Sequence, residues 1–179
     1  LALVTYANGV ESLSSLTAMN DSQRRQMNQI LNRISAGGGT NLGAGLQRGI
    51  EILMQTTGAK RQRRVILISD GLANQGVTDP QALGEMVSAA RSHGFCVSTV
   101  GVGYDFNEVL MTGLADHGAG RYYFLEDPNT FAQVFDNEFQ TARNVAAARV
   151  RHLQSATGMT SFRHGTRQSN CHPYRRTAR

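Results

Sequence analysis

The apolar positions of this chain switch repeatedly between two periods, and each switch marks an element. Leu1 to Ala7 reads as a strand, after which Met27, Ile30, Leu31 and Ile34 recur at helical spacing and predict a helix over about 21 to 35. Three glycines at 37 to 39 stop that helix. Asn41, a good N-cap, opens a second helix whose Leu42, Leu46, Ile50 and Leu53 form one stripe. Ala44, Gly45 and Gly49 keep its other faces small enough for close packing. Lys60 to Arg64 reads as a solvated basic connector ahead of a buried strand, Val65 to Ser69.

The alternation continues downstream. Asp79 and Pro80 suit the cap and first turn of a helix with Leu83, Met86, Val87 and Ala90 inward, ended by Gly94. FCVSTVGVG at 95 to 103 is a second buried strand, Asn107 to His117 a short helix, and RYYFLE at 121 to 126 the last strand. From Pro128 a final helix carries Phe131, Val134, Phe135 and Phe139 on one face. Strands and helices that alternate through short glycine-containing joints predict an α/β, Rossmann-type fold over residues 1 to 148, a mainly parallel sheet flanked by helices.

Composition changes this picture at the C-terminal end. The chain has 179 residues, 40% of them apolar, which suits one domain, and no apolar run approaches the roughly 18 residues needed to span a bilayer. Its net charge of +5 belongs to the tail: residues 1 to 150 carry 12 basic and 13 acidic side chains, whereas 151 to 179 carry six arginines and no acid. Residues 149 to 179 hold few aliphatics and no sustained period, so two expectations stand. One is a disordered basic tail, either merely solvated or touching acidic partners or nucleic acid; the other is translation in a shifted frame. The two cysteines, Cys96 in a predicted strand and Cys171 in the tail, set no disulfide framework and no metal-ligand spacing, and Cys96 reads as a small core residue.

Two loops carry the candidate chemistry. Asp70 follows four apolar residues and Ser69, at the point where a buried parallel strand runs out, and Gly71 lets the backbone turn away. Open α/β sheets place ligands at that edge. Thr40 follows three glycines and precedes the Asn41 cap, so its hydroxyl stands on a loop beside free backbone N–H groups. A hydroxyl and a carboxylate converging there suit a hard cation such as Mg²⁺, which takes oxygen ligands octahedrally.

LALVTYA (1 to 7), GGGTNLGAGL (37 to 46), RRVILISDG (63 to 71), GFCVSTVGVG (94 to 103) and GRYYFLEDP (120 to 128) together resemble the von Willebrand factor type A family, in its bacterial form, over nearly four fifths of the chain, to about Phe139. The resemblance implies a metal-ion-dependent adhesion site built from an Asp-x-Ser-x-Ser loop, a Thr in a second loop and an Asp in a third. Thr40 and Asp70 match the second and third, and no Asp-x-Ser-x-Ser occurs in this sequence. It implies further that Mg²⁺, with Thr40 as a direct or water-bridged ligand and Asp70 as an outer carboxylate, is completed by an acidic residue of a protein partner. The expectation is therefore a non-enzymatic, metal-dependent protein-binding module that lacks a strand and the densest ligand group at its N-terminal side, with a weakened site.

Rival readings are set by other residues. GGGTNLG lacks the Gly-Lys-Ser/Thr ending of a phosphate-binding loop. Asp79 and Asp127 precede prolines and read as caps, His93 and His117 fall at helix ends, and Asp105 and Glu108 would line the rim beside Asp70. A Mg²⁺-dependent phosphate hydrolase using Asp70 would need a nucleophile or base that no motif supplies. Nucleic-acid binding would rest on the tail alone.

Overall fold

The computed structural model describes residues 1–35, 37–56 and 62–140. Residues 149 to 179, including Cys171 and the whole of the basic tail, lie outside the described residues. Within the described part the chain runs β1 (Leu3–Tyr6), β2 (Val10–Ser14), α1 (Asp21–Leu31), α2 (Leu42–Met54), β3 (Arg63–Ser69), α3 (Pro80–Ser92), β4 (Phe95–Val102), α4 (Glu108–His117) and β5 (Ala119–Leu125). A single 3₁₀ turn, Pro128–Thr130, then leads into a helix over 131–140, called α5.

β3, β4 and β5 form a parallel sheet in that order, with Val65 beside Val97 and Val100 beside Tyr123. Each strand is joined to the next by a helix, as parallel neighbours require. The helices start where the sequence predicts. Asn41, Asp79 and Asn107 each accept a hydrogen bond from a first-turn amide, of Ala44, Ala82 and Leu110 respectively. Gly94, at φ +80°, turns the chain out of α3 into β4.

Two cores cover the two faces of the sheet. On one, Leu42, Leu46, Ile50 and Leu53 of α2, Leu83 and Val87 of α3, and Leu110 and Leu114 of α4 close over Leu67 and Val97. On the other, Val100 and Leu125 pack under Val134 of α5, with Ile66 and Phe131 at the margin. The predicted α/β class, a parallel sheet flanked by helices, is the observed one. Cys96 is buried in β4 as a small core residue.

The structure departs from the sequence pattern in four places. β2, unpredicted, folds back antiparallel on β1, with Tyr6 opposite Val10 across a loop that contains Asn8-Gly9. α1 ends at Leu31, capped by Asn32, rather than running to 35. Arg63 and Arg64 are strand residues rather than connector: Arg63 donates to the His93 carbonyl at 2.8 Å and lies over the Phe95 ring, while Arg64 pairs with Glu138. On α5 Val134 is buried as predicted, but Glu138, 1% exposed, is buried with it, and Phe139 faces outward. Glu138 also accepts from Ser98 Oγ at 3.0 Å and Tyr123 OH at 2.6 Å, so its carboxylate is both paired and hydrogen-bonded, as a buried charge must be.

The five strands do not make one sheet. Among the described residues β1 pairs with β2 alone and β3 with β4 alone, so the hairpin and the parallel sheet are separate ladders that share α2 as cover.

Candidate metal centre

β3 carries the chain from the buried Ser69 to the exposed Asp70 at the C-terminal edge of the parallel sheet. Ser69 Oγ donates to the Gly71 carbonyl at 3.0 Å and faces the Gly71 amide at 3.4 Å, which fixes the turn just beyond Asp70. From the other side comes the glycine loop that opens α2. Thr40 N–H donates to Asn74 Oδ1 at 2.8 Å and its carbonyl accepts from Asn74 N–H at 3.2 Å, so the Thr40 and Asp70 loops are bonded in both directions.

A third loop closes the arrangement. Asn8, in the β1–β2 turn, accepts through Oδ1 from Gly39 N–H at 2.5 Å and Gln75 Nε2 at 2.8 Å, and Asn41 N–H donates to the Ala7 carbonyl at 2.8 Å. The glycines allow this crowding. A Cβ on Gly39 would sit 2.4 Å from Gln75 Nε2, and Gly76, at φ +64°, leaves no room for one against Asn41.

Thr40 Oγ1 lies 3.2 Å from where a Cβ on Gly71 would stand, which puts the hydroxyl directly over the residue that follows Asp70. Neither the Thr40 hydroxyl nor the Asp70 carboxylate makes a hydrogen bond or ion pair among the described residues. Beneath them, burial pushes the Tyr6 phenol above its usual range; a hydrogen bond with Ser69 opposes that and the Asp70 charge adds to it. A hydroxyl and a carboxylate without protein partners are oxygen donors of the kind that a hard cation such as Mg²⁺ takes. Among the described residues no group of three or more His, Cys, Asp or Glu gathers elsewhere to hold a metal.

The other carboxylates and histidines have local duties. Asp79 caps α3, and Asp127 accepts from Asn129 N–H at 2.9 Å. His93 caps the end of α3 and His117 is the last residue of α4. Because β4 runs parallel to β3, Asp105 and Glu108 follow the same sheet edge as Asp70. Glu108 lies against Tyr122, whose phenol is pushed up to about 12 by burial and then by that carboxylate. Sequence reasoning missed Asn8, Asn74 and Gln75, the three side chains that brace the loops. The signals were there as turn chemistry: Asn8 before Gly9, and Asn74-Gln75 between Gly71 and Gly76.

Comparison with known proteins gives a consistent answer. The family model for the von Willebrand factor type A domain matches residues 1–137. The uncharacterized protein YfbK of Escherichia coli strain K12 is 31% identical over 141 residues, 78% of this chain and 24% of that protein, so the chain spans about a quarter of that relative's length. A von Willebrand factor type A structure from Catenulispora acidiphila superposes with a TM-score of 0.67 at 23% identity, covering 76% of this chain and 32% of that one. Proximal thread matrix protein 1 from the mussel byssus, solved with a zinc-occupied MIDAS motif, gives 0.57 at 19% identity over 76% of this chain and 33% of that one. At these identities the two structures bear on the fold alone.

Proposed function

The chain belongs to the von Willebrand factor type A domain family, and from that premise we propose that it is a metal-dependent protein-binding module, without catalysis, whose cation is held at Thr40 and Asp70. The observation that carries the reading is the uncommitted pair itself: a hydroxyl and an exposed carboxylate, packed over the same glycine turn at the C-terminal edge of a parallel sheet. The zinc-occupied motif of the mussel byssus relative supports a divalent ion in this family, and hard oxygen donors favour Mg²⁺ here.

In this reading Thr40 contributes its hydroxyl and Asp70 its charge, while Asn8, Asn74 and Gln75 hold the two loops at fixed separation. Such bracing lowers the cost of ordering a site on binding. A bound cation supplies the positive charge that lets an acidic side chain of a partner approach Asp70. Two ligands from the chain leave most of the coordination to water and to the partner, so the module binds Mg²⁺ weakly by itself and more firmly with a partner carboxylate present.

Calorimetric titration with MgCl₂, alone and with a Glu-containing acidic peptide, tests this. The expected result is a weak Mg²⁺ isotherm that tightens in the presence of the peptide and disappears in Asp70→Ala, with the folded circular-dichroism spectrum retained. Peptide binding of equal strength in EDTA would defeat the proposal.

A further inference from the structure

We propose that Tyr104, Phe124 and Glu126, at the corner where β4 and β5 end, form a recognition patch for an arginine side chain presented by a basic segment of a protein partner. The patch involves neither Thr40 nor Asp70 and stands whether or not a cation binds there.

The rings are exposed, yet they are held. Tyr104, in the loop after β4, is 73% exposed, and Phe124, one residue before the end of β5, is 45% exposed. Their ring centroids stand 5.7 Å apart. Phe124 is 6.0 Å from Phe106, whose ring lies over Gly101 of β4, where any Cβ would strike it. Gly101 and Phe124 are register partners on adjacent strands, so the three rings make one shelf across the ends of β4 and β5. Phe106 anchors that shelf from the core side. At its outer end the Tyr104 hydroxyl donates to Glu126 Oε1 at 2.6 Å, which fixes the most exposed ring and brings a carboxylate beside it. A shelf set before a ligand arrives loses little freedom on binding.

Charge selects among ligands. The face of an aromatic ring attracts cations. Residues 103–108 and 126–130, which flank the shelf, hold Asp105, Glu108, Glu126 and Asp127 and no lysine or arginine. Asp105 and Glu126 are exposed, and neither Asp105 nor Glu126 Oε2 has a hydrogen-bond or ion-pair partner among the described residues. An aliphatic ligand on the rings would desolvate nearby carboxylates with nothing to offset the cost, whereas a cation answers rings and carboxylates together. Of the two common cationic side chains, arginine fits better. Its guanidinium is flat enough to stack on a ring while its N–H fork donates to a carboxylate alongside.

The test follows the side-chain signals of the isotope-labelled 179-residue chain by NMR, in low-salt buffer containing EDTA. The probes are acetyl-Gly-Ser-Arg-Ser-Gly-amide and the same peptide with citrulline, which keeps the shape of arginine and loses its charge. The expected result is saturable shifts confined to Tyr104, Phe106, Phe124 and their neighbours, half-complete at roughly 1–10 mM arginine peptide. Citrulline should bind about fivefold more weakly or worse. Tyr104→Leu and Phe124→Leu keep the apolar bulk and remove the ring face, and each should weaken binding about threefold or more, as should Glu126→Gln. Met54→Ala, at the exposed last residue of α2, should leave binding unchanged. Equal binding of the citrulline peptide, full affinity in both leucine variants, or no saturation by about 50 mM peptide would overturn the proposal. So would nuclear Overhauser contacts between these rings and an arginine side chain without peptide, which would make residues 151 to 179 or a second copy the occupant. EDTA in every titration keeps the outcome separate from the metal reading.

Discussion

α1 and α2 carry the same kind of apolar stripe and meet opposite fates. In α2 Leu42, Leu46, Ile50 and Leu53 are all buried against the sheet, whereas in α1 only Met27 is, and Leu31 at its end and Ile34 just beyond it stand nearly half exposed. The two helices differ in what lies under them. α2 spans β1 and β3 and packs beside α3, so every stripe position finds a neighbour. α1 faces the gap between the two ladders. Periodicity therefore reports the burial for which a segment is patterned, and the surrounding strands decide how much of it is realised.

The contrast can be broken most strongly from the covered side. Leu46→Ala removes a fully buried side chain and should cost about 2–5 kcal/mol in urea unfolding. Gly45→Ala, whose Cβ would stand 2.5 Å from the Tyr6 ring, should cost about 1–3 kcal/mol by pushing the hairpin off α2. Gly49→Ala, one turn on, meets only Val65 at 3.5 Å and should stabilise by about 0.4–1 kcal/mol through helix propensity.

A gentler probe of the same covered face is alkaline titration. The Tyr122 phenol is held up to about 12, above the ordinary tyrosine value near 10. The folded state thus keeps a proton that the unfolded chain has lost, so this contribution is whole below pH 10 and is lost as the pH rises from about 10 to about 12. Tyr122→Phe should flatten that part of the alkaline stability profile. Smallest of all, Leu31→Ala on the open side should stay within about 0.5 kcal/mol of wild type, and a loss comparable to Leu46→Ala would erase the contrast.

Much of this architecture is legible in the sequence because its signals are local. Caps at Asn41, Asp79 and Asn107, the α2 stripe and the aliphatic runs of β3 and β4 each stand within a few residues of what they specify. What escapes is set by distant partners. Glu138 reads as a solvated helix residue until Arg64, Ser98 and Tyr123 are brought to it, and Arg64 reads as connector for the same reason. β2 escapes because Glu11, Ser12 and Ser14 dilute its apolar content, although Asn8-Gly9 announces a turn. At the candidate site Thr40 and Asp70 can be picked out from their loops, but the bracing by Asn8, Asn74 and Gln75 depends on three turns that meet only in the folded chain.

The division into two ladders also bears on how quickly the molecule assembles. Among the described residues β1 with β2, β3 with β4 and β4 with β5 are all pairings between sequence neighbours, the first across a tight turn and the other two across one helical crossover each. Pairing between neighbours keeps the sequence separation within each ladder down, and folding rates rise as contact order falls. The hairpin and the β3–β5 unit can form in parallel, and docking through α2 becomes the last step, the one that a bulkier residue at Gly45 would slow.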